Sequence, residues 1–117
     1  MSTPPLPSTV LDWSQLPVKP TAIGARRELF DASSATFANF EGHVTTLNPG
    51  EMPHPPHQHP DEELLVMKTG TLEVLINGRA QRISDGSVCF VASNDLHGWK
   101  NVGSGPATYF VFRIVAR

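Results

Sequence analysis

The stretch Gly50-Glu51-Met52-Pro53-His54-Pro55-Pro56-His57-Gln58-His59-Pro60-Asp61-Glu62-Glu63 carries three of the chain's five histidines and four of its eleven prolines. His57 and His59 are two residues apart, so on a β-strand they project from one face. Two neutral imidazoles so placed make half of a divalent metal site. A carboxylate suits a third position, and Glu63 follows His59 by four residues. Fully extended, four residues span about 13 Å. Donors about 2.1 Å from one ion cannot be that far apart unless the chain turns. Pro60-Asp61 predicts that turn, since proline lacks a ladder donor and aspartate favours turns. Glu63 then opens a returning strand beside the histidines. Glu62 is the competing carboxylate, but its opposite strand parity directs it to solvent. A further donor has to come from elsewhere, and His97, just after the Ser93-Asn94-Asp95 turn, is the candidate. The competing interpretation is a loop rich in proline and histidine with incidental metal affinity.

Outward from this segment, the chain from about Arg26 reads as short strand-like runs separated by turn residues. They include Arg27–Ala32, Thr36–Phe40, His43–Leu47, Glu63–Lys68, Thr71–Ile76, Arg79–Ser84, Ser87–Val91, Gly98–Val102 and Thr108–Val115. Asn77-Gly78 between two of them is a strong hairpin signal, and Asp85-Gly86 marks the next turn. No window of a dozen residues keeps a helical period with good helix formers. The expected class is all-β, a sandwich or barrel that protects its sheet edges. Residues 1–25 read as a proline-rich arm ahead of a barrel domain over 26–117. Leu11, Trp13, Leu16 and Val18 predict that part of the arm docks, with a neighbouring subunit as one place for it to do so.

Composition narrows the function classes. At 117 residues and 39% hydrophobic content, the chain has material for one core. A formal charge of -2 gives no electrostatic footprint for nucleic acid or an anionic membrane. The longest apolar run, Val88 to Ala92, falls far short of the roughly 20 residues of a spanning helix. No basic start leads into an apolar stretch, which predicts a cytoplasmic protein. The single cysteine, Cys89, leaves any metal to nitrogen and oxygen donors.

Two motifs resemble those of the cupin superfamily. Gly50, six residues, His57-Gln58-His59, three residues, Glu63, six residues and Gly70 follow the first, with one extra residue before His57. Gly86, five residues, Ala92-Ser93-Asn94, two residues, His97, three residues and Asn101 follow the second. Fifteen residues separate the two. Ala92 and Asn94 stand where the family usually has proline and glycine. Asparagine tolerates the left-handed backbone a turn glycine would supply. The resemblance implies an antiparallel jelly-roll β-barrel whose metal ligands are His57, His59, Glu63 and His97. Such a set leaves about two positions of an octahedron open and accommodates one divalent transition metal: iron, manganese, nickel, copper or zinc.

Other residues carry expectations of their own. His54 reads as an exposed loop histidine, with support of the site or an alternative ligand as the other reading; His43 reads as structural, and Cys89 as core, with a reactive thiol as its alternative. Trp99 shares the strand parity of His97 and either lines the cavity or packs in the core. Met67 has the parity of Glu63 and is expected on the same wall. Arg113 reads as a surface arginine, with anchoring of an anionic substrate as the alternative. By resemblance, the expected function is a metal-dependent enzyme of oxygenase type acting on a small organic substrate, as in quercetin dioxygenase-like cupins. Glu63 is then both ligand and proton acceptor. The alternatives are a non-oxidative isomerase or lyase and a non-catalytic binding protein. The two-faced terminal strand Tyr109–Arg113 and the arm predict a homodimer.

Overall fold

A computed structural model describes residues 4–117. A short 3-10 turn, Trp13–Gln15, precedes nine strands: β1 Lys19–Thr21, β2 Gly24–Ala32, β3 Phe37–Leu47, β4 Glu62–Thr69, β5 Leu72–Ile76, β6 Arg79–Ile83, β7 Val88–Val91, β8 His97–Asn101 and β9 Ala107–Ala116. They form a six-stranded sheet in the order β1-β2-β3-β9-β4-β7 and a three-stranded sheet in the order β6-β5-β8. Every pairing is antiparallel. The architecture is the expected all-β jelly roll. Among the described residues no helix is long and apolar enough to cross a membrane.

The alternation of the strands sets the core. Leu65, Met67, Val91, Tyr109 and Val111 from the larger sheet meet Leu72, Val74 and Trp99 from the smaller, with Cys89 and Leu47 beside them. Cys89 is therefore the apolar core residue expected, and burial pushes its thiol pKa up. Met67 also lies in this core rather than on the cavity wall. Two turns behave as their residues dictate. Asn77 (φ 48°) and Gly78 (φ 84°) are both left-handed between β5 and β6, and Asn94 (φ 65°) adopts the conformation a turn glycine would supply.

Of three expectations, the first and last need correction, and the second, that part of the arm docks, gains its place. The runs Thr36–Phe40 and His43–Leu47 are one strand, because Glu41 and Gly42 continue the ladder opposite Arg113 and Phe112. Gly42 is a packing notch and not a breaker: a Cβ there would meet the Phe112 ring at 3.0 Å and the Phe30 ring at 3.3 Å. The arm, second, contributes β1, whose Lys19 pairs with Arg26. Its aromatic anchor docks on the chain's own sheet: Trp13 lies 5.9 Å from the Phe110 ring, with the Arg27 guanidinium 4.4 Å above it. Third, His57 and His59 lie in a loop, not on a strand. Four prolines between residues 53 and 60 remove ladder donors, so a single bridge forms, between His57 and His97.

Asn101 ties that loop to the sheets. Its buried amide donates to the Leu47 and Gly105 carbonyls at 2.9 Å each, and its Oδ1 accepts from Gly103 N–H at 2.9 Å. Its backbone exchanges hydrogen bonds with Gly50 and Glu51. Asn101→Ala leaves the buried Leu47 carbonyl and the half-buried Gly105 carbonyl without that donor and is expected to cost about 2–4 kcal/mol. Thermal unfolding checks this through a midpoint lower by roughly 10 °C; a midpoint within about 2 °C of the unaltered protein's contradicts it.

Candidate metal centre

The bridge between loop and β8 brings the histidines together. His57 N–H donates to the His97 carbonyl and His97 N–H to the His57 carbonyl, each at 2.9 Å. Asn94 N–H donates to the His59 carbonyl at 2.8 Å, so the loop is held at both residues. The chain then bends at Pro60-Asp61, as expected, and β4 returns Glu63 to the same place. Glu62, next door, points outward and accepts from Ser93 N–H at 3.4 Å.

The donor atoms converge. The three imidazoles stand edge-on to one another, with ring centroids 5.0, 4.9 and 4.9 Å apart. One nitrogen from each of His57, His59 and His97 lies within 4.8 Å of the others, a grouping that fits a metal ion. Glu63 Oε2 is 3.1 Å from His97 Nε2, and Oε1 is 3.4 Å from His59 Nε2. Adjacent ligands of an octahedral ion about 2.1 Å away are about 3.0 Å apart, close to these spacings.

Outer hydrogen bonds aim two of the rings. His59 Nδ1 lies 2.9 Å from the Asp61 carbonyl and His97 Nδ1 lies 2.8 Å from the Asp95 carbonyl. A carbonyl only accepts, so both Nδ1 atoms carry the proton and both Nε2 lone pairs face the cluster. His57 Nε2, His59 Nε2, His97 Nε2 and Glu63 Oε2 are all buried with no hydrogen-bond partner. Unpartnered buried polar atoms are costly, and four converging ones match the donor set of a bound cation.

Burial, reinforced by the neighbouring His54, His97 and His59, holds the His57 pKa below its ordinary 6.5. The sign of the consequence follows from proton binding. Below about pH 6.5 the unfolded chain protonates this ring before the folded one does, so acid favours unfolding. The metal-free protein is therefore expected to lose thermal stability between pH 7.5 and 5.5, as read by its unfolding midpoint. A midpoint that stays level or rises on acidification contradicts this.

A cavity of about 290 Å³ opens beside the donors, walled by Arg26, His43, His54, Trp99, Tyr109 and Arg113 among others. Trp99 meets both expectations at once: it is buried in the core and lines this space. Its indole donates to the Tyr109 hydroxyl at 2.8 Å, and burial keeps that phenol protonated far above its usual range. His54 differs from expectation: it is half-buried, with its ring stacked 3.8 Å from that of His57. His43 lies in the predicted strand, yet it also faces the cavity, its Nδ1 2.7 Å from Glu41 Oε1. Arg113 is pinned by Asp61 at 2.7 Å, where a free surface arginine was expected. Sequence reasoning missed Arg26, Asp61 and Tyr109. Strand parity shared with Thr45 and Arg113 was the available signal for the first and last, once the inner face is known.

The family model described as the cupin domain matches residues 43–113. Among solved structures, an RmlC-like cupin from Shewanella frigidimarina superposes with TM-score 0.74 at 15% identity, covering 95% of this chain and 94% of that one. A predicted oxalate decarboxylase from Thermotoga maritima gives 0.73 at 19%, covering 92% and 99%. A polyketide cyclase from Streptomyces resistomycificus gives 0.72 at 16%, covering 94% and 81%. At these identities the likeness establishes the fold alone. No curated protein matches the sequence at a significant level.

Proposed function

The chain belongs to the cupin family, and from that premise we propose that it is a metal-dependent enzyme of oxygenase type, with one divalent transition metal held by His57, His59, Glu63 and His97. The observation that carries this reading is the convergence of four buried, unpartnered donor atoms beside a cavity. When bound, a redox-active ion there supplies electron exchange between an organic substrate and dioxygen. The protein's own residues do the rest. The three imidazoles, two of them aimed by backbone carbonyls, present neutral nitrogen donors. Glu63 supplies a negative charge and, when it detaches, a proton acceptor. Trp99 and His54, their rings tilted 56° to each other, give the space two aromatic walls, and a volume of about 290 Å³ restricts the substrate to a small molecule.

The test begins with elemental analysis of protein purified without an affinity tag. Iron-loaded protein is then screened for oxygen uptake with small phenols, diketones and organic acids. Uptake that depends on His57 and His97 supports the reading; turnover without oxygen consumption defeats the oxygenase part. One observation favours a non-oxidative isomerase or lyase as the second reading. His54 Nδ1 lies 2.9 Å from the Pro55 carbonyl, so in the neutral ring Nε2 is a proton acceptor on the cavity wall. Proton exchange of a substrate C–H into heavy water under anaerobic conditions, lost in His54→Ala, would select it.

For assembly we propose a twofold homodimer. Val88 and Phe90 on the edge strand β7 are 60% and 55% exposed, and Val66 and Leu64 adjoin them on the same outer face. Light scattering is expected to give twice the 12.7 kDa chain mass; a single-chain mass at high concentration contradicts it.

A further inference from the structure

The two oxygens of Glu63 have unlike surroundings. Oε2 is buried without a hydrogen-bond partner and lies 3.1 Å from His97 Nε2. Oε1 lies between two groups, 3.4 Å from His59 Nε2 and 3.6 Å from Nε of the Arg113 guanidinium, so only this oxygen has a fixed cation beside it. Arg113 stands directly opposite Glu63 across the β4–β9 ladder, and it does not reach the carboxylate by chance. Asp61 fixes it there: Oδ2 accepts from Arg113 Nη2 at 2.7 Å and from Nε at 3.0 Å. The same Asp61 offers its backbone carbonyl to His59 Nδ1–H at 2.9 Å. One residue of the bend thus sets both the ring of a histidine donor and the cation beside the carboxylate donor.

We propose that Arg113 is a positioning residue that keeps Glu63 a single-oxygen ligand. By attracting Oε1, it leaves Oε2 alone for the ion and preserves a coordination position for an external ligand. A carboxylate can ligate through one oxygen or two, and nothing in the Glu63 side chain itself decides between them. A nearby guanidinium does, because turning Oε1 onto the ion would separate it from a fixed positive charge. Arg113 also places that charge near the bound cation. Its presence weakens cation binding while it keeps the site open. A residue that merely props up the site would strengthen cation binding, so the two roles differ in sign.

This assignment rests on Glu63 being a metal ligand, and the experiment separates the two claims. Cobalt(II) is added to the metal-free full chain, its dissociation constant is measured by competition with a chelating dye, and azide is then titrated by visible absorption. Arg113→Gln removes the charge and retains a donor for Asp61. It is expected to bind cobalt(II) about threefold to tenfold more tightly and azide weaker by a similar factor. Arg113→Lys keeps the charge but loses the two-nitrogen hold on Asp61, and is expected to shift both measures by less than Arg113→Gln does. Weaker cobalt(II) binding in Arg113→Gln, or unchanged azide affinity, overturns the assignment. So does a shift of both measures in Arg113→Lys that equals the about threefold to tenfold expected of Arg113→Gln, a criterion that also serves if the glutamine variant does not fold. If Glu63→Gln leaves cobalt(II) affinity unchanged, Glu63 is not a ligand, and the reading beneath this assignment falls with it.

Discussion

Replacing His57 or His97 by alanine is expected to lower metal affinity by about a hundredfold or more, so that protein purified with near-stoichiometric metal becomes nearly metal-free. Each change deletes one of three imidazole donors whose nitrogens lie within 4.8 Å of one another. Neither touches the reciprocal backbone bonds that hold loop to strand, because those run through main-chain atoms. The fold is therefore expected to survive while the site empties. His54→Ala is the matching control. Its ring stacks on His57 but is not among the clustered donors, so metal content should stay within about threefold of normal. Elemental analysis of the three variants beside the unaltered chain decides the matter. Unchanged metal in both ligand variants, or loss in His54→Ala equal to theirs, contradicts the assignment.

Removing the metal is expected to destabilise the whole chain. An ion present at a hundred times its dissociation constant contributes about 2.7 kcal/mol to folding, worth roughly 10 °C in the unfolding midpoint of a domain this size. The structure explains why the metal-free state should suffer. Four buried donors lose their common partner, and the loop over residues 48–61 keeps only the His57–His97 bridge and a few lone bonds. The size of this effect depends on pH. Metal binding needs unprotonated imidazoles, so protons compete with the ion and the gap between loaded and metal-free protein narrows below about pH 6.5. Scanning calorimetry before and after a chelator, and again after metal is restored, measures this. A midpoint that moves by less than about 2 °C shows that the four donors bind no ion of consequence to folding.

The legible parts of this protein were those whose chemistry is local. Asn77-Gly78 made its hairpin because both residues accept left-handed backbone, whatever surrounds them. Pro60-Asp61 bent where proline and aspartate bend, which returned Glu63 to the histidines. Parity sent Glu62 outward and Glu63 inward because a strand has two faces and one of them is buried. Three other features were misjudged. The runs ending at Phe40 and starting at His43 read as separate, yet Gly42 continues the strand, and two phenylalanine rings from neighbouring strands need the space its missing side chain leaves. His54 reads as exposed because its neighbours are prolines, and only the folded loop lays its ring over His57. Arg113 reads as a surface charge, since no spacing rule links it to Asp61, 52 residues away.

By itself, the sequence determined which atoms are available for a metal: imidazole nitrogens and a carboxylate, with a lone cysteine committed to the core. It also determined where the chain turns, since turn preference belongs to single residues and their immediate neighbours. Only the tertiary structure decided that the His-x-His pair sits in a loop bridged to His97, that the arm covers its own sheet, and that Asp61 steers both His59 and Arg113. Those outcomes depend on which strands become neighbours. Strand pairing is a property of the whole buried core, and spacing along one chain does not contain it.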